Sequence, residues 1–306
     1  MQIKNVIKNN ELVFNCYKRM LIFSKYIQFK YFYISTVKRN FKKHLGYELN
    51  LENPQTFNEK LHWLKINYKD DLMTKYADKY YVRQLVKEKL GPEYLIELYG
   101  VYNSVDEIDL EVLPSEFVFK PTHSSGRVII SKNKEDINWK KSFKEMNRWL
   151  RDNYFYQSGE WVYKNIQPKI ICEKLLEENI IDYKVYCFNG EPLFTQVISN
   201  RKNGKFNVNY YDLDWQAIEI RRKDHDENKS GINKPINYEH MLKNSKLIAS
   251  NFPFARMDFY EVDNKLFFGE VTFFPANGLI NFSDLDEDRK WGSYLTLPVE
   301  KHFNKL

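Results

Sequence analysis

Residues 255–273 read ARMDFYEVDNKLFFGEVTF, and the fold turns on them. Two strand-like stretches, 255–262 and 266–273, flank Asp263, Asn264 and Lys265, a turn-forming set that predicts a β-hairpin. A three-residue turn centred on Asn264 places Asp258 across from Glu270 and Arg256 across from Thr272. Side chains alternate along a strand, so all four share one face. Opposed carboxylates, with Cβ atoms about 5 Å apart, destabilise a hairpin unless something lies between them. A divalent cation would remove that repulsion, and magnesium takes one or two carboxylates together with phosphate oxygens. Arg256 would then hold a phosphate or a developing oxyanion. A solvated hairpin face with Arg256 neutralising the acids fits the same spacing, and a β-bulge would break the register.

Outward from the hairpin, strands are expected at 169–173, 183–188, 192–199 and 207–211, and a helix at 237–250 opened by Pro235 and Asn237. Further upstream, strands at 117–120 and 128–130 bracket the polar loop Pro121–Arg127, and a helix follows at 139–153. Residues 56–90 read as helical with a break at Asp70 and Asp71. This mixture of helices and hairpin-like strand pairs predicts an α+β architecture with antiparallel sheets rather than a doubly wound parallel one.

Three patterns carry chemistry besides the hairpin. Lys120 shares a strand face with Val118, and the loop after it can aim backbone N–H groups at a phosphate, with Ser124 and Ser125 adding donors. The loop has no GxxxxGK, so it is not a Walker A motif, and a plain hairpin turn would explain it equally. At Glu173, Lys174 and Leu175, a strand edge with free backbone groups could hydrogen-bond an adenine. Asp182 and Lys184 share one face by alternation, although an ion pair at the surface is the commoner arrangement.

The composition bounds the rest. The chain has 306 residues, 43% hydrophobic and 16% aromatic, which is globular rather than disordered. Its three cysteines form no CxxC pair, which argues against a disulfide framework or a zinc cluster. No apolar N-terminal stretch leads into a small-residue cleavage site, so a cytoplasmic chain is expected. Residues 1–50 carry ten Lys or Arg against two acidic residues, while the whole chain is only +6. The basic character is therefore local, which argues against general nucleic-acid binding. Residues 20–35, MLIFSKYIQFKYFYIS, are interrupted by Lys25 and Lys30 and are not a membrane span. They predict a helix with a wide apolar face next to a basic run. It either packs on the protein's own core or attaches to an anionic membrane surface, at the inner face of the membrane.

In combination, the order and spacing of these patterns resemble the ATP-grasp superfamily. More narrowly, the chain resembles the TupA-like ATP-grasp family, of the teichuronopeptide-biosynthesis type. The stretches that carry the resemblance are NPQTFNEK (53–60), YADKYYVR (76–83), LPSEFVFK (113–120), DYKVYCFNG (182–190) and FGEVTF (268–273). The resemblance implies an ATP-grasp fold in which a basic segment (1–50) and a helical subdomain (51–115) precede a nucleotide-clamping subdomain (116–180) and a catalytic subdomain (181–306). It implies that Lys79 and Lys120 contact ATP phosphates, that Ser124, Ser125 and Gly126 form the covering loop, and that Glu173, Lys174 and Leu175 form the adenine hinge. Asp182 matches the ribose-side acid. Arg256, with Lys120 and Lys184, falls among the catalytic residues. Asp258, Glu270 and Thr272 match magnesium ligands, Thr272 standing where many ATP-grasp ligases have Asn. The implied activity is ATP- and Mg2+-dependent joining of a carboxylate to an amine through an acyl phosphate. The implied substrates are an amino acid or other amine and a hexuronic acid of cell-surface polysaccharide: capsule, O-antigen or teichuronopeptide.

Two other classes remain at this point. A glycosyltransferase would want an Asp-x-Asp motif, which Asp212/Asp214 and Asp224/Asp226 offer in polar, loop-like surroundings. A non-catalytic membrane- or glycan-binding protein would use the basic N-terminus and the aromatics, but leaves the pairing of Asp258 with Glu270 unexplained.

Overall fold

The computed structural model describes residues 11–177, 180–202, 205–223 and 231–298. Two helices come first, α1 (Glu11–Tyr31) and α2 (Tyr33–Leu45). Helix α2 buries Tyr33, Thr36, Val37 and Phe41, a three-to-four spacing that makes one stripe, and ends at Gly46 in the left-handed conformation. Helix α3 (Phe57–Asn67) opens with a capping box between Thr56 and Glu59. Asp70 caps α4 (Asp71–Ala77), as the expected break required. A second, unexpected break follows, where the Asp78 side chain accepts from the backbone of Tyr80 and Tyr81 and starts α5 (Tyr81–Lys89).

The first sheet joins β1 (Leu98–Tyr102), β2 (Phe117–Pro121), β3 (Ile129–Ser131) and β4 (Ile170–Lys174) in the order β1-β4-β2-β3, all antiparallel. Phe117, Phe119, Ile170 and Cys172 cluster with Met146 and Trp149 of α6 (Trp139–Arg151). By alternation the opposite face carries Val118, Lys120, Ile171 and Glu173. A short helix α7 (Phe155–Ser158) lies between the sheets in sequence and packs on α1.

The second sheet joins β5 (Asp182–Phe188), β6 (Glu191–Lys202), β7 (Lys205–Tyr211), β8 (Phe254–Val262) and β9 (Lys265–Thr272) in the order β7-β6-β5-β8-β9, again all antiparallel. Tyr183, Val185 and Cys187 of β5 enter the core that α8 (Tyr238–Ala249) helps build through Tyr238, Met241 and Ile248. The even-numbered residues Asp182, Lys184 and Tyr186 take the other face, beside Tyr260, Asp258 and Arg256 of β8.

Helix α9 (Leu285–Tyr294) closes the fold, and the sequence reading had no element there. Its Asp288 accepts hydrogen bonds from the Asn58 backbone and side chain and from the Tyr47 hydroxyl. Gly292 lies so close to Gln55 that an added β-carbon would meet the Gln55 carbonyl at 2.1 Å. The NPQTFNEK stretch is thus a docking seam for α9. Among the described residues no helix is long and apolar enough to cross a membrane.

Candidate active site

The hairpin of β8 and β9 has the expected pairing for a different reason. Its turn has two residues, Asp263 and Asn264, both at positive φ, and pairs Val262 with Lys265. That conformation matches the right-handed twist of a hairpin, and Asn and Asp tolerate it. It offsets the register by one residue from the three-residue turn expected. A bulge at Gly269 restores it, because Phe259 pairs with Phe268 while Asp258 pairs with Glu270 and Arg256 with Thr272. The bulge that would have broken the register instead creates it.

Around that bulge the charges interlock. Arg256 donates from Nε and Nη2 to the two oxygens of Asp258, each at 2.7 Å, and from Nη2 to Thr272 Oγ1 at 3.0 Å. Lys184 Nζ reaches Asp258 Oδ2 at 2.5 Å and lies 3.6 Å from Asp182. Asp258 is only 2% exposed, so two cations hold a buried carboxylate. Glu270 reaches into the cleft, its side chain 31% exposed, with Lys79 at 3.1 Å and Arg256 at 3.9 Å. Burial would raise its pKa, but Lys79, Arg256 and Lys184 outweigh that and hold the carboxyl down at about 2. Hard carboxylate oxygens on adjacent strands, with a hydroxyl beside them, suit Mg2+ completed by phosphate oxygens. Glu270 has oxygen to offer directly, whereas Asp258 would exchange protein cations for the metal.

Across the cleft, Lys120 Nζ lies 2.9 Å from Glu173 Oε2, and Arg83 lies 2.7 Å from Glu173 Oε1. Lys79 joins the two sides, donating to the Ser124 carbonyl at 3.0 Å while it pairs with Glu270. The Tyr260 hydroxyl is pushed well above its ordinary pKa by burial, then by Asp182, Glu270, Asp258 and Glu173. Acids from both sheets therefore crowd one phenol. In the loop after β2, Ser124 Oγ is buried and has no hydrogen-bond partner among the described residues, so it has a donor to spare. Ser125 is half-buried, and Gly126 is exposed at φ 71° with open space beside it.

Two sequence expectations change here. Glu173 and Lys174 are not on a sheet edge, because β4 pairs with β1 on one side and β2 on the other, and Lys174 N donates to Glu97 O. Leu175 follows the end of the strand. Glu173 contributes its side chain, and its partner Arg83 went unnoticed although it ends the YADKYYVR stretch. Asp182 pairs with Lys184 and with Arg201, also unnoticed. Of the Asp-x-Asp motifs, Asp212 uses its carboxylate to accept from the backbone of Asp214 and Gln216, so it shapes its own turn. Asp224 and Asp226 lie outside the described residues.

Beside Arg256 and Lys184 the second sheet leaves a cavity of about 160 Å³, lined also by Tyr186, Gln196, Phe206 and Arg222. A hydrogen-bonded chain runs along it, from the Tyr186 hydroxyl to Gln196 Oε1 (3.2 Å), and from Gln196 Nε2 to the Tyr210 hydroxyl (3.0 Å), which Arg222 also reaches (3.4 Å). Tyr186, Gln196 and Tyr210 lie on strands the sequence predicts, but only the register brings them together.

A family model described as "TupA-like ATPgrasp" matches residues 59–296. No curated protein matches the chain significantly. Solved structures that match include D-alanine–D-alanine ligase from Bacillus anthracis complexed with ATP, at 13% identity over 65% of this chain and 55% of that one, with a TM-score of 0.37. L-amino acid ligase from Bacillus licheniformis matches at 12% identity over 72% and 46%, with a TM-score of 0.41. The ATP-grasp ligase PsnB, complexed with minimal precursor, Mg and ADP, matches at 14% identity over 66% and 52%, with a TM-score of 0.36. The chain spans about half the length of these solved relatives.

Proposed function

The chain belongs to the TupA-like ATP-grasp family, and from that premise we propose that it joins a carboxylate to an amine at the expense of ATP. The observation that carries the reading is the cleft between the sheets, where Lys79 links the Ser124 loop to Glu270 and the bulged hairpin sets Arg256, Asp258, Glu270 and Thr272 side by side. Lys79, Lys120 and the Ser124–Gly126 loop would meet the phosphates. Leu175 and its neighbours would meet the adenine, and Asp182 the ribose. Asp258, Glu270 and Thr272 would hold magnesium, which when bound neutralises phosphate charge.

The cavity beside Arg256 and Lys184 takes the carboxylate substrate. One carboxylate oxygen attacks the γ-phosphorus, the bond to the ADP oxygen breaks, and an acyl phosphate forms. The amine nitrogen then attacks the acyl carbon, the phosphate leaves, and the nitrogen gives up a proton. The residues contribute positioning and charge neutralisation rather than covalent chemistry. The resemblance supports a hexuronic acid of a cell-surface polysaccharide as the carboxylate, an amino acid or other amine as its partner, and a site of action in the cytoplasm at the inner face of the membrane.

The test is ADP release in magnesium with pools of amino acids and uronic acid sugars, followed by mass spectrometry of the product. ADP and phosphate should form only with the carboxylate present, and an amide only when the amine is added. Failure to bind ATP in millimolar magnesium would end the ligase reading. ATP binding with no stimulation by any pool would remove the uronic acid assignment alone.

A further inference from the structure

The first helix leaves the body of the protein before it ends. From Phe29 onwards α1 and α2 are anchored, with Phe29, Tyr33, Thr36, Val37 and Phe41 buried and the Phe29 and Tyr33 rings against Phe155. Towards its N-terminus the contacts thin out: the Tyr26 ring still meets that of Tyr156 at 4.5 Å, and Ile22 and Phe23 border a cavity with Tyr156 and Gln157. Residues 20–25 are all exposed, including Met20 (67%), Leu21 (46%), Ile22 (47%) and Phe23 (64%). Four consecutive residues cover every side of a helix turn, so this is an exposed apolar turn within α1, not the edge of a core-facing stripe. At 1.5 Å per residue, Met20 stands about 14 Å along the helix axis from Phe29. Tyr31, Phe32 and Ile34 continue the apolar surface across the junction of the two helices, each about half exposed or more.

From Lys18 to Lys43 the charge along the two helices is of one sign. Between Glu11 and Glu48 there are eight Lys or Arg and no acidic residue. Lys25, Lys30, Lys38, Arg39, Lys42 and Lys43 are all exposed on α1 and α2. A scattered exposed apolar residue needs no explanation, but a contiguous patch of this kind marks an interaction site. An apolar wedge ringed by lysines complements a bilayer surface, where apolar side chains enter the acyl boundary and cations meet anionic headgroups.

We propose that the exposed apolar turn of α1 and the basic surface beside it dock the protein on an anionic phospholipid membrane, Met20–Phe23 inserting and the lysines of α1 and α2 lying on the headgroups. The second sheet and its cleft contribute nothing to the docking, so it is independent of the ligase reaction.

The experiment is co-sedimentation of the full chain with phosphatidylcholine vesicles made with and without phosphatidylglycerol, at low and physiological salt. The chain should bind the anionic vesicles at least tenfold more tightly than the neutral ones, and less tightly as salt rises. Lys38→Gln and Lys43→Gln should each weaken binding about fivefold. Met20→Glu with Phe23→Glu should abolish it while leaving the circular dichroism spectrum unchanged, since both side chains face solvent. Lack of binding by the intact chain at low salt would overturn the proposal. So would binding that survives the Met20→Glu, Phe23→Glu change. Sedimentation equilibrium supplies the rival outcome, because a wild-type dimer that Phe23→Glu dissolves would show that a second copy covers Met20–Phe23 instead.

Discussion

Gly269 lies against the carbonyl oxygen of Asp258, so close that a β-carbon on Gly269 would stand 3.0 Å from it and equally near the ring of Tyr260. The missing side chain lets β9 bulge where Asp258 needs Glu270 opposite. Gly269→Val should therefore cost about 1–3 kcal/mol through overpacking, and should cut ADP formation more than tenfold by shifting the Glu270 row. Urea unfolding and ADP assays measure the two effects. A variant as stable and active as the wild type would show that the bulge does not set the site.

Glu270→Gln separates charge from shape. The side chain is partly exposed and its partner Lys79 keeps the Ser124 carbonyl, so the thermal midpoint should stay within a few degrees of wild type. ADP formation should fall at least a hundredfold, because the substitution takes away the carboxylate most open to the metal. Normal melting with full turnover would remove Glu270 from the metal assignment.

Lys120→Met tests the opposite wall. Glu173 keeps Arg83 at 2.7 Å after the change, so no buried carboxylate is stranded. Losing one charge-assisted phosphate contact costs about 2–4 kcal/mol of transition-state stabilisation, roughly thirtyfold to a thousandfold in rate. Single-turnover ADP formation at saturating ATP reads that loss directly. A rate within threefold of wild type would leave Lys120 as a structural partner of Glu173 only.

Much of this arrangement was legible in the sequence because alternation is a local signal. The even-numbered face of β5 follows from period two alone, the pairing of Asp258 with Glu270 is expected from a turn centred on Asn264, and both are present. The route to the pairing was not legible, since a two-residue turn plus a bulge gives the same partners as a three-residue turn. Arg83, Arg201 and Arg222 escaped for another reason. Each finds its carboxylate or hydroxyl through the tertiary fold, Arg83 from a helix ninety positions before Glu173. The same holds for α9, whose docking depends on Asp288 meeting Asn58. The buried acid Glu160 carried no sequence signal at all.

Glu160 supplies the last prediction. It is 6% exposed, and burial lifts its carboxyl from an ordinary 4.5 to about 7, with Lys65 countering only part of the rise. Lys65 is itself buried, lowered to about 8, and donates to the carbonyl and side chain of Asn277, so it is not free to neutralise Glu160 fully. The folded carboxyl keeps its proton to higher pH than the unfolded one, and the folded state binds more protons across that interval. The stability this provides is complete below pH of about 4.5 and is lost as pH rises through about 7. Burial lowers the His62 and His123 imidazoles, which makes stability rise with pH over the same range, so the Glu160 contribution is read as a difference: the urea midpoint of the wild type relative to Glu160→Gln, which cannot ionise, should fall between about pH 5 and pH 7. Because Glu160 is not among the residues assigned to ATP or magnesium, Glu160→Gln should retain most of its ADP formation at pH 7. A wild-type midpoint that rises over the same interval relative to Glu160→Gln would mean that Lys65 holds Glu160 ionised, and the assignment of a protonated buried acid would fall.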